Sequence, residues 1–161
     1  GRKISLPYGV EALRCYEGVK LQKKTEEVSE RTEEVQELNM EGTTSWVNES
    51  FRTRIFPYSG EKILEKKYTK WFDCDKINCE LSVRTRRSGD YMIVNQSGGR
   101  KKLTRCMIDD KIPGEIRQEI PLVAAKDEVL WIVGGRISER YKITSQTEKV
   151  LEITYQGGNL E

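Results

Sequence analysis

The stretch Leu81–Ile120, LSVRTRRSGDYMIVNQSGGRKKLTRCMIDDKIPGEIRQEI, decides how this chain is to be folded. Its opening LSVRTR alternates, which places Leu81, Val83 and Thr85 on one strand face and Ser82, Arg84 and Arg86 on the other. Ser88-Gly89-Asp90 reads as a turn, and Tyr91–Val94 as a strand returning from it. Ser97-Gly98-Gly99 then leads into Arg100–Ile108, whose spacing predicts a short amphipathic helix. Leu103, Cys106 and Met107 fall on its inner side, and Lys101, Lys102 and Arg105 on its outer side. Glycines ahead of a helix start leave backbone N–H groups free to meet a phosphate oxygen.

Between Arg84 and Arg117 there are nine Lys or Arg and four acids, a local balance of +5 on a chain whose net charge is +2. The remainder is therefore net acidic, and the basic cluster suggests an electrostatic footprint for a polyanion. The competing reading is a solvated charged face. Downstream, Asp109-Asp110-Lys111-Ile112-Pro113 closes one helix and opens another, with Ile116 and Ile120 inward and Arg117 outward. Pro121 ends that helix. Leu122–Ala125 and Val129–Val133 read as buried strands separated by a turn at Lys126-Asp127-Glu128, and Val150–Tyr155 as a last strand. Gly134-Gly135 holds Arg136 at a loop edge near the basic face.

Upstream, residues 3–21 read as short strands with turns at Pro7-Tyr8-Gly9 and Glu17-Gly18. Residues 22–37 change sharply to an acidic, apolar-poor composition, read as a mobile linker or a loosely held solvated helix. Leu38–Tyr58 returns to strand composition, with Trp46, Phe51, Ile55 and Phe56 as core and Arg52 and Arg54 sharing one face. Lys62–Tyr68 reads as a short helix or strand. Asp73 and Asp75 read as turn-forming acids rather than as paired carboxylates for metal or acid–base work.

No apolar run approaches the roughly 18–20 residues that span a bilayer, so no membrane partner and a cytoplasmic location are expected. Cys15, Cys74, Cys79 and Cys106 have no zinc-like spacing, no histidine completes a mixed site, and they read as reduced packing thiols. The absence of histidine also removes the usual general base. Many strands with two short helices make the fold class α+β.

R-T-R-R-x-G-D, G-G-x-K-K-L, I-D-x-K-I-P-x-x-x-R and I-P-L-V, in this order, resemble the C-terminal domain of the tRNA(Ile)-lysidine synthetase family. The resemblance continues through VLWIVGGR (129–136) and ISERYKIT (137–144), and upstream through ISLPYGVEALRCY (4–16) and YTKWFDCDKI (68–77). It departs from the family pattern Phe-Asp-Tyr-Asp at Cys74. The resemblance implies a β-rich three-layer β/β/α arrangement with short helices, shared with a domain of phenylalanyl-tRNA synthetase. It implies that residues 1–161 are a C-terminal tRNA-binding region, as the opening Gly1 in place of Met also suggests. That region divides into a β-rich part over 1–76, carrying the acidic linker 22–37, and a homology segment over 77–156.

The family joins lysine to the wobble cytidine of tRNA(Ile) using ATP with Mg, through an N-terminal domain with a Ser-Gly-Gly-x-Asp-Ser pyrophosphate loop. Here Ser97-Gly98-Gly99 is followed by Arg100-Lys101-Lys102, so the match is coincidental, and no catalytic residue and no cofactor is expected in this chain. The implied role is docking on the tRNA body, at the acceptor stem, through phosphate and 2′-hydroxyl contacts. Candidate tRNA-binding residues are Arg84, Arg86, Arg87, Lys101, Lys102, Arg105 and Lys111, with Arg117 and Arg136 at the margin. Expected partners are tRNA(Ile) and the N-terminal catalytic domain of the same polypeptide. The alternative function is a protein-interaction or homodimerisation module without RNA contact.

Overall fold

A computed structural model describes residues 35–63 and 65–157. The reading of residues 3–21 as strands, and most of the acidic stretch 22–37, lie outside the described residues. Among the described residues, ten strands and one α-helix follow in order: β1 (Gln36–Glu37), β2 (Gly42–Trp46), β3 (Glu49–Pro57), β4 (Thr69–Asp73), β5 (Ser82–Arg84), β6 (Tyr91–Ile93), β7 (Arg100–Lys102), α1 (Leu103–Asp109), β8 (Leu122–Ala125), β9 (Glu128–Ile132) and β10 (Lys149–Gln156). They form a six-stranded sheet, ordered β1-β5-β8-β9-β6-β7, and a four-stranded sheet, ordered β2-β3-β10-β4. The fold is α+β with few helices. Strands from both sides of residues 76/77 share each sheet, since β1 joins the larger one and β10 lies between β3 and β4.

Burial explains the layering. Val123 and Ala125 of β8 join Trp46, Phe51, Phe72, Val83, Leu151 and Ile153 in a core between the sheets. Leu122 and Ala124, pointing the opposite way, join Leu103, Cys106, Met107, Ile112, Ile116 and Ile120 beneath the helix. A register shift between Val123 and Ala124 leaves β9 with one extra residue. A bulge of this kind turns two consecutive side chains the same way, and Leu130 and Trp131 both enter the inter-sheet core. Val129 and Ile132 face the helix. The unbroken apolar run of β8 and β9 is thus the mark of strands covered on both faces.

Several expectations are corrected. β5 and β6 are not a hairpin: β6 pairs with β7 and β9, and β5 with β1 and β8. Residues 100–102 are a strand, so the helix begins at Leu103, although its inward residues are those expected. The second helix is a single 3-10 turn, Gly114–Ile116. Residues 62, 63 and 65–68 form no regular element. The acidic stretch gains a short strand at its end, where Gln36 and Glu37 pair with Val83 and Ser82. Asp73 takes the structural role read for it, capping a 3-10 turn through the Asp75 N–H and accepting from Thr147 Oγ1. Cys74 and Cys106 are partly buried and fully buried free thiols, and burial pushes both up from the ordinary thiol range. Cys79 is exposed rather than packed.

Tyr141 lies in the inter-sheet core, and burial, then the nearby Glu128 carboxylate, pushes its hydroxyl up to about 12. A raised folded-state pKa means that the folded state keeps a proton the unfolded chain loses near pH 10. The stability this contributes is complete below pH 10 and disappears as pH rises towards 12. Denaturant titrations from pH 9 to 12 should show a fall on the order of 2–3 kcal/mol that Tyr141→Phe abolishes; an equal fall in both proteins would refute it.

Candidate nucleic-acid interface

The β6–β7 hairpin presents the basic run. Its loop is built by Asn95, whose Oδ1 accepts from the Gly99 N–H at 2.8 Å and from Ser97 Oγ at 2.9 Å, while its carbonyl accepts from the Gly98 N–H at 3.2 Å. The glycine N–H groups are therefore engaged and precede a strand, which corrects the reading of them as a phosphate cradle at a helix start. Gly98 has φ +88°, a conformation that favours glycine. A Cβ on Gly99 would stand 2.7 Å from Asn95 Nδ2.

Residues directly opposite in a ladder point to the same side. Lys101 is opposite Met92, which lies under the helix, so Lys101 turns to the helix side and pairs with Asp109. Lys102 is opposite Tyr91 and takes the other side with Arg100, whose guanidinium stacks 4.2 Å above the Tyr91 ring. Three consecutive basic residues are thus divided between two faces.

Arg84 is placed inside. Only 1% of it is exposed, and it forms two hydrogen bonds to Asp90, Nη1 to Oδ2 at 2.9 Å and Nη2 to Oδ1 at 2.8 Å. It also donates to the carbonyls of Thr85 and Lys126. This corrects the reading of Arg84 as a surface cation. Asp90 further accepts from the Arg87 N–H, and its carbonyl from the Leu103 N–H. The pair therefore ties the end of β5, the turn at Arg87–Asp90, the β8–β9 turn and the start of α1 to one point.

Around it lie the cations of this edge. Arg87 is half exposed and faces Asp127 at 3.9 Å, and Arg86 is half-buried. Lys126 is exposed in the two-residue β8–β9 turn with φ +57°. Lys102 is exposed. Arg86, Lys102 and Lys126 have no ion-pair partner among the described residues. Arg100 and Lys126 were not among the residues singled out from the sequence. Their signal was faint: Arg100 opened a run read as helical, and Lys126 sat beside two acids in a turn.

The helix side is different. Asp109 takes Lys101 and faces Arg105 at 3.8 Å, and Lys101, then the neighbouring arginines, hold its carboxyl below the usual range. Arg136 is bound by both oxygens of Asp110 at 2.7 and 2.8 Å, which raises its pKa. Lys111 is exposed after the helix with φ +61°. Arg117 is half-buried and donates through Nε to the Ile112 carbonyl at 2.9 Å, rather than pointing freely outward. Of the nine candidates, Arg87 and Lys102 lie on or next to segments that Asp90 ties together, with Arg86 adjoining Arg87. Lys101, Arg105 and Arg136 gather around two aspartates.

No group of three potential metal ligands occurs among the described residues, and no helix among them is long and apolar enough to cross a membrane. Among the described residues, two sheets and one short helix make a β-rich α+β domain with cations gathered around the Arg84–Asp90 pair. Residues 81–153 match the family described as the TilS substrate C-terminal domain. A tRNA(Ile)-lysidine synthase of Caldanaerobacter subterraneus subsp. tengcongensis is 38% identical over 154 residues, covering 95% of this chain and 33% of that protein. One from Clostridium perfringens is 32% identical over 170 residues, covering 98% and 35%. A crystal structure of a TilS C-terminal domain superimposes with a TM-score of 0.63 at 26% identity, covering 78% of this chain and 98% of that one. Residues 81–153 belong to the TilS substrate C-terminal domain family. The chain spans about a third of the length of the curated relatives it matches.

Removing one partner of a buried ion pair leaves an uncompensated charge and costs about 3–5 kcal/mol. Arg84→Met should lose stability on that scale, and adding Asp90→Asn, which keeps an acceptor for the Arg87 N–H, should recover part of it. Chemical denaturation reads both; equal losses in the single and double variants would contradict the assignment.

Proposed function

We propose that this chain is the tRNA-docking C-terminal part of a tRNA(Ile)-lysidine synthase, a cytoplasmic ligase that modifies the wobble cytidine of tRNA(Ile). The observation that carries the reading is the basic edge around the Arg84–Asp90 pair: Arg87 in the turn that Asp90 holds, with Arg86 next to it, Lys126 whose carbonyl Arg84 takes, and Lys102 and Arg100 against Tyr91, with the exposed Asp127 facing Arg87. Such cations meet phosphate oxygens and set the register of a nucleic acid without reading its bases. Docking is on the tRNA body, at the acceptor stem, which leaves the anticodon to a catalytic domain elsewhere in the polypeptide.

ATP with Mg supplies the activation of the cytidine in the parent enzyme. The Ser97–Gly99 turn does not fit a triphosphate, because its glycine N–H groups are held by Asn95. The stacking of sheet, sheet and helix supports the three-layer β/β/α reading and the likeness to a phenylalanyl-tRNA synthetase domain. The edges of the larger sheet favour RNA over a second protein copy. β1 has two residues and β7 three, all of them basic in β7, and short charged edges discourage strand pairing.

Within the proposal Arg84 serves as structure, Arg86, Arg87 and Lys102 lead the contacts, and Lys101, Arg105, Lys111, Arg117 and Arg136 stand behind them. Binding of the chain to tRNA(Ile) and to an unrelated tRNA across a salt series tests this. Lys102→Ala with Lys126→Ala should weaken binding and flatten the slope of log affinity against log salt by up to about two contacts, each roughly 0.7–0.9. An unchanged slope would refute the assigned edge.

A further inference from the structure

The outer face of the four-stranded sheet carries a second constellation, away from the basic edge. Phe56 on β3 and Trp71 on β4 meet edge to face with ring centroids 5.1 Å apart, and Tyr58 lies 6.5 Å from Trp71. The Arg54 guanidinium stacks 4.5 Å over Phe56. Glu152 of β10, opposite both Arg54 and Trp71, fixes the group. It accepts from Arg54 Nε at 2.6 Å, from Arg54 Nη2 at 3.3 Å and from Trp71 Nε1 at 3.0 Å. The three rings are half-buried, so part of each remains open to solvent.

With Trp71 and Arg54 both held by Glu152, the set does more than cover Val150, which lies opposite Phe56 on the same face. It offers flat π surfaces and a flat guanidinium whose orientations are already set, and such surfaces take a planar partner at low entropic cost. The surrounding charge selects the partner's chemistry. Arg52 is exposed on the same face and makes no ion pair among the described residues, and Lys66 lies near Glu152. Against Glu152 and Glu61, whose carbonyl accepts from the Tyr58 hydroxyl, stand Arg52, Arg54 and Lys66, so the face is net positive. Aromatic side chains on a sheet with cations alongside stack the bases of unpaired nucleic acid and hold its phosphates.

We propose that this sheet face binds a single-stranded segment of RNA, with a base stacked on Trp71 and Phe56 and the adjoining phosphate held by Arg52. The inference rests on the reading of the chain as an RNA-docking unit but uses a surface that the basic edge does not include. Glu152 is a positioning residue here, aligning Arg54 and Trp71.

Anisotropy of a fluorescein-labelled, unstructured RNA of about eight nucleotides, compared with an RNA duplex of matched phosphate number, tests the proposal on the full chain. Trp71→Ala should weaken the single strand roughly 5- to 150-fold, the range for loss of one stacked base, and leave the duplex unchanged. Trp71→Phe should retain most of the affinity, and circular dichroism checks the fold of both. Trp46 and Trp131 are fully buried, so quenching of tryptophan fluorescence by the single strand reports on Trp71. Single-strand affinity equal in wild type and Trp71→Ala overturns the proposal. So does a dimer in sedimentation that Trp71→Ala dissolves, since that gives the face to a second copy. If instead the Lys102→Ala and Lys126→Ala pair leaves tRNA binding intact while Trp71→Ala does not, the basic-edge reading fails and this one stands.

Discussion

The Arg84–Asp90 pair is the constraint on which the basic edge depends. Nothing else among the described interactions joins the end of β5, the Arg87–Asp90 turn, the Lys126 carbonyl and the start of α1 at one point. A buried ion pair adds little net stability, because desolvation offsets most of the attraction. Its effect is on geometry. With every donor direction of Arg84 that faces the turns engaged, the loops that carry Arg86, Arg87 and Lys126 have a fixed starting point. The cations outside are held by the charge inside.

The same pair explains why local net charge overstates the basic surface. Of the nine candidate cations, Arg84 is cancelled in the interior, Arg136 is clasped by Asp110, and Lys101 and Arg105 share Asp109. Surface pairs of this kind are worth little in stability but do occupy the cations that form them. What remains open to a polyanion is smaller, and includes Lys126 from a turn more than twenty residues after Lys102.

Much of the fold was legible. β8, β9 and β10 follow from apolar runs and clean alternation, the strand character of residues 38–58 from composition though not their hairpin, and the inward helix residues from 3.6-residue spacing. Arg84 was not, because alternation names a face without saying that a sheet is covered on both. The helix start was misplaced because Leu103, Cys106 and Met107 keep helical spacing while the ladder to Tyr91–Ile93 captures the three residues before them. That partner is set by non-local pairing, which no local pattern reports. The motif order carried the family, and the family carried the expectation of tRNA; the division of the cations between two faces came from register alone.

Side-chain footprinting of lysines with and without saturating tRNA(Ile), read by mass spectrometry, tests the central claim most directly. Lys102 and Lys126 should lose reactivity towards an acetylating reagent in the complex, while Lys101 and Lys111 keep theirs. Protection of Lys101 and Lys111 with Lys102 and Lys126 still reactive would move the interface to the helix side and contradict the account.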